Sequence, residues 1–105
     1  MEKKEIDKFD KSNTIVYTMR WNTVKNSRLK RIRGVSFEEL IIDGKMIDII
    51  DNPGRQGQHM LVFEHKKYIW ITPCVIEEKN VFLKTLYPSH KYRKFYKKGV
   101  SYEKV

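Results

Sequence analysis

The chain has 105 residues, with 22 Lys and Arg against 13 Asp and Glu and a formal net charge of +9. That length holds one domain with one modest core, and the excess of cations favours a polyanionic partner such as nucleic acid, an acidic protein or an anionic membrane surface. The apolar runs are too short to span a bilayer, and a lone cysteine, Cys74, excludes an internal disulfide framework and suits a reducing cytoplasm.

Residues 1–13 alternate in charge and offer little to bury. They are expected to form a loosely held tail, with at most a helical turn near Ile6 and Phe9, and no signal peptide is expected. Thr14 to Arg20 reads as a short strand by its β-branched and aromatic content. Asn22 can cap the helix that follows, and Gly34 can end it. On that helix Trp21, Val24, Leu29 and Ile32 gather on one side, with Lys25 and Arg28 inside the same arc. Two accounts of these cations stay open. Their stems can lie on apolar surface with the heads in water, or they can rim a cleft between helix and sheet.

Ser36-Phe37-Glu38-Glu39 has the form of a capping box and opens a second helix, from Phe37 to about Asp43, closed by Gly44. The pair is helix-turn-helix-like, but the second helix is acidic where a DNA-reading helix is basic. Met46 to Ile50 and Met60 to Glu64 read as strands, separated by a Pro-Gly loop. Tyr68 to Ile76 and Val81 to Tyr87 read as a β-hairpin. Pro88 breaks it. Ser89 then caps a basic helix carrying His90, Lys91, Arg93, Lys94, Lys97 and Lys98, which Gly99 is expected to stop. The order predicts an α+β domain over 14–99, followed by a tail at 100–105. Its sheet is mostly antiparallel and meander-like, with two N-terminal helices on one face and a basic C-terminal helix.

In the hairpin, Ile76 opposite Val81 sets Cys74 against Leu83, Thr72 against Thr85 and Trp70 against Tyr87. The other side, with Val75, Phe82, Ile71, Leu86 and Ile69, reads as the better core. Trp70 and Tyr87 would then lie beside the cations, where flat rings suit stacking on RNA bases. The alternative is a sheet packed on both faces with both rings buried.

His59, His65 and His90 are scattered and Cys74 has no partner at ligand spacing, so no metal site is expected. No phosphate-binding glycine loop is present. Cations, tyrosine and one histidine are nevertheless enough for RNA transesterification. Arg and Lys hold the non-bridging oxygens while the 2′-hydroxyl attacks phosphorus. A histidine or tyrosine moves the protons. His90, Lys91, Arg93, Lys84 and Tyr87 are the candidates for such a site, and Trp21, Lys25, Arg28, Trp70 and Lys94 for RNA contact.

Three segments carry a family resemblance. Trp21-Asn22-Thr23-Val24-Lys25-Asn26, then Arg33-Gly34-Val35-Ser36-Phe37-Glu38-Glu39, resemble the opening of the BrnT toxins. Phe82 to Lys91 stands where that family has a final strand leading into a paired basic motif. The match covers roughly residues 19–98. It implies a RelE-like ribonuclease fold and a cytoplasmic toxin that cleaves RNA without metal or cofactor. It also implies a cognate antitoxin encoded nearby, operator DNA bound through the toxin–antitoxin complex, and assembly as a homodimer or as a heterotetramer with the antitoxin. By position, Trp21 and Lys25 match the helix-entry motif and His90 and Lys91 the terminal basic pair. The sequence departs from the family in having His90 where arginine is usual and Tyr92-Arg93 in place of Ala-Thr. Arg93, at i+3 from His90, can restore a cation. The readings that compete are a non-catalytic nucleic-acid-binding protein and an inactive toxin homologue serving as an antitoxin-binding module.

Overall fold

The computed structural model describes the backbone of residues 2–6 and 17–103, and side chains over 17–96. The elements run β1 (Glu2–Ile6), β2 (Tyr17–Trp21), α1 (Thr23–Arg33), α2 (Phe37–Ile42), β3 (Lys45–Asp51), β4 (His59–His65), β5 (Tyr68–Glu77), β6 (Asn80–Leu83), β7 (Tyr87–Pro88) and α3 (His90–Glu103). Strand order is β1-β2-β6-β5-β4-β3, with the two-residue β7 on β5 beyond β6. β2 and β6 are parallel. The other pairs are antiparallel.

The helix boundaries follow from capping chemistry. The Asn22 side chain accepts the Lys25 N–H, and Gly34 closes α1 in the left-handed conformation at φ 80°. Ser36 and Glu39 form the reciprocal capping box of α2. The interior of α1 departs from the expected pattern. Leu29 is buried, but Val24 and Ile32 are 77% and 66% exposed. The buried polar residue is Asn26, whose Oδ1 accepts the Phe37 N–H at 2.8 Å and so ties α1 to the first turn of α2.

The sheet is covered on both sides. Beneath α1 and α2, the main core gathers Met19, Trp21, Leu29, Phe37, Leu40, Leu61, Phe63, Trp70, Cys74, Val81, Leu83 and Leu86. Beneath α3, Met60, Val62, Ile69 and Ile71 meet Tyr87, Tyr92 and Tyr96. The side expected to be the better core is therefore the lesser one, and Trp70 is a core residue, 8% exposed. Burial also pushes the Cys74 thiol up to about 12, so it stays an inert packed group.

The hairpin register holds at first, with Ile76 opposite Val81 and Cys74 opposite Leu83. It then shifts by one residue. Trp70 opposes Pro88 and Ile71 opposes Tyr87, so the expected Trp70–Tyr87 and Thr72–Thr85 pairs do not form. The cause is Pro73. Its carbonyl accepts the Lys84 N–H at 2.9 Å, but proline has no N–H to return, so the ladder opens there. The returning strand takes one extra residue, which turns Leu86 into the main core and Tyr87 toward α3. A second irregularity lies in β3, where the register shifts between Met46 and Asp48. The bulge puts Ile47 and Asp48 on the same face. Asp48 thereby accepts a hydrogen bond from the Tyr96 hydroxyl of α3 at 2.8 Å.

Two further expectations are corrected. Residues 2–6 are a strand paired along its length with β2, where a loose tail was expected. Phe9 lies outside the described residues. Gly99 does not stop α3, which continues to Glu103 and so takes in part of the expected 100–105 tail. Glycine weakens a helix interior by about 1 kcal/mol without breaking it.

Candidate nucleic-acid interface

β2 and β6, being parallel, leave the sheet at the same end. There Trp21 leads through the Asn22 cap into α1, and Leu83 leads into the irregular segment before β7. The space between the two exits is a cleft of about 420 Å³, lined by Trp21, Asn22, Val24, Lys25, Arg28, Phe82, Leu83 and Lys84. It holds three cations and no carboxylate. The first turn of α1 carries no acidic side chain, so its unpaired N–H groups add to the positive field. Lys25 is half-buried and Arg28 exposed. Both residues line the cleft between helix and sheet. Trp21 forms the floor, 2% exposed and packed on Phe37 at 6.0 Å between ring centroids.

The remaining candidates lie elsewhere. His90, Lys91 and Lys94 are exposed on α3, whose Tyr92 and Tyr96 pack on the opposite sheet face from α1 and α2. Arg93 is half-buried and serves as a strut. Its Nε donates to the Lys67 carbonyl at 3.5 Å, and its guanidinium sits 5.1 Å from the centre of the Tyr68 ring. Tyr87 lies under α3, with its hydroxyl 3.9 Å from the Met60 sulfur. Burial, reinforced by Tyr92, raises its pKa, so it stays a neutral phenol and makes a poor base. The structure thus brings together Trp21, Lys25, Arg28 and Lys84. It places Trp70 in the core, and His90, Lys91, Arg93 and Lys94 are not among the residues that line the cleft.

His65 is buried in the helix-side core, with its Nε2 4.0 Å from Glu39. Among the described residues no three His, Cys, Asp or Glu side chains are grouped to hold a metal ion, and no helix is long and apolar enough to cross a membrane. Sequence reasoning missed Phe82 as a wall of the cleft and Phe95 as an exposed ring, 64% exposed on α3. The available signal for Phe95 was its place next to Lys94 on a helix whose Tyr92 and Tyr96 face the sheet.

Comparison with protein-family models, with curated proteins and with solved structures found no match to this chain.

Proposed function

We propose that the protein is a metal-independent RNA-cleaving toxin of a toxin–antitoxin pair, and that it holds its RNA in the cleft between α1 and the end of β6. The observation that carries the proposal is the gathering of Lys25, Arg28 and Lys84 around one carboxylate-free cleft. Cations fixed in this way neutralise phosphate before the reaction and hold the extra charge of a phosphorane during it. The order of the BrnT-like motifs supports the toxin reading, and the RelE-like fold and the antitoxin partner belong to the same proposal. In this scheme the 2′-hydroxyl attacks the adjacent phosphorus and the 5′-oxygen leaves, giving a 2′,3′-cyclic phosphate. His90 can carry protons only if the RNA runs from Lys84 along residues 84–90 to the start of α3.

A second reading is a non-catalytic RNA-binding protein. It is favoured by the separation of His90 and Tyr87 from the cleft. The two readings are separated by incubating the purified protein with mixed-sequence RNA in EDTA and analysing the product ends. Cyclic phosphate ends, lost in Lys25→Ala/Lys84→Ala and in His90→Ala/Lys91→Ala, support cleavage. Intact RNA that is still bound supports the binder. Three cations on a single strand give a slope of log affinity against log salt of about −2, so raising salt from 50 to 200 mM weakens binding about 20-fold. A slope unchanged in the Lys25/Lys84 variant would place the RNA elsewhere.

A further inference from the structure

The outer face of α3 carries an arrangement that the cleft does not use. Phe95 is 64% exposed. Its ring stands against Tyr96 at 4.9 Å between centroids, with the planes at 88°. Tyr96 is itself held by Asp48 at 2.8 Å and packed on the sheet. The exposed ring is therefore presented on a fixed support, and a fixed ring loses less freedom when something stacks on it. Around it, Lys91 and Lys94 are exposed, as is His90 at the helix start. From His90 to Phe95 the helix has no carboxylate. Lys91 lies 5.4 Å from the centre of the Tyr92 ring, which keeps its ammonium close to the helix.

We infer that Phe95, with Lys91 and Lys94, forms a second contact for single-stranded RNA, in which an unpaired base stacks on the Phe95 ring and the lysines meet the flanking phosphates. The inference rests on the proposal that RNA is the ligand. Charge complementarity selects a polyanion. The flat exposed ring selects one with unstacked bases, because bases inside a duplex are unavailable for stacking.

The test measures binding of a fluorescein-labelled 12-nucleotide 2′-O-methyl RNA, which cannot undergo 2′-hydroxyl cleavage, and of a blunt duplex of the same length. Wild type is compared with Phe95→Leu, Phe95→Trp and Lys25→Ala/Lys84→Ala. Phe95→Leu keeps apolar bulk beside Tyr96 but has no π-face. It is expected to weaken single-strand binding about 5- to 150-fold, the range set by about 1–3 kcal/mol per stacked base. Duplex binding should change less than twofold. Phe95→Trp should match or exceed wild type, and the cleft variant should weaken both ligands. Unchanged single-strand affinity in Phe95→Leu overturns the second contact and leaves the cleft standing. Absence of RNA binding by wild type overturns both. Vesicles containing phosphatidylserine are the control: a Phe95→Leu loss confined to vesicles assigns the patch to a membrane surface and overturns the inference.

Discussion

Asn26→Ala probes a buried polar link between the two helices that lie over the main core. The Asn26 Oδ1 accepts the Phe37 N–H at 2.8 Å, and Asn26 is 8% and Phe37 0% exposed. Alanine fits the helix and improves its propensity by about 0.5 kcal/mol. It leaves the Phe37 N–H buried without its acceptor, at a cost of about 1–3 kcal/mol. The net loss is about 1.5 kcal/mol, or a fall in Tm of roughly 6–12 °C for a domain of this size. Urea unfolding followed by tryptophan fluorescence should show a lower midpoint at an unchanged slope. Val24→Ala on the same helix, at a site 77% exposed, is the control and should stay within about 0.5 kcal/mol of wild type. If Asn26→Ala costs no more than the control, the Phe37 N–H is satisfied without Asn26 and the link is not structural. RNA affinity measured well below the midpoint should hold, because Lys25, Arg28 and Lys84 remain in place.

Two further outcomes concern the sheet faces. Trp70→Ala should cost about 3–5 kcal/mol in urea unfolding, as expected for a core aromatic; a fully stable variant with weaker RNA binding would return Trp70 to the surface. Tyr96→Phe should remove part of the alkaline sensitivity of the fold. Burial first, and then the hydrogen bond and charge of Asp48, raise the Tyr96 pKa above the ordinary value of 10. A raised folded-state pKa gives stability that is fully present below about pH 10 and is lost as pH climbs past it. The wild-type urea midpoint should therefore fall above pH 10, and the fall should be shallower in Tyr96→Phe; parallel curves would refute the coupling.

Local chemistry made the helix ends legible, because Asn22, Gly34, Ser36 and Glu39 each act within a few residues of their own position. The hairpin was legible as far as its ladder stays regular. It ceased to be so at Pro73, whose missing N–H admits the extra residue and exchanges the faces of Leu86 and Tyr87. The bulge at Ile47 has no comparable mark in Met46-Ile47-Asp48-Ile49-Ile50, where alternation alone sends Asp48 to the wrong side. On α1, Val24 and Ile32 satisfied a helical period yet face outward, because Asn26 and Leu29 take the buried positions. Lys25 and Arg28 were legible as candidates for a cleft rim. The meeting of α1 with Lys84 depends on the parallel pairing of β2 with β6, which no local pattern reports.

That pairing also sets the order in which the molecule can assemble during synthesis. Arg20 of β2 reaches Asn80 of β6 across 60 residues of chain, through a hydrogen bond of 2.9 Å. A ribosome adding about 5–20 residues per second leaves β2 without β6 for several seconds. The wall made by Phe82, Leu83 and Lys84 comes later still. A nascent chain can close the hairpin of β4 and β5 early, but it has no cleft until residues 82–84 have emerged. Nascent chains not yet extended through Lys84 thus lack the cationic pocket, and anything that depends on the pocket waits for that segment to join α1.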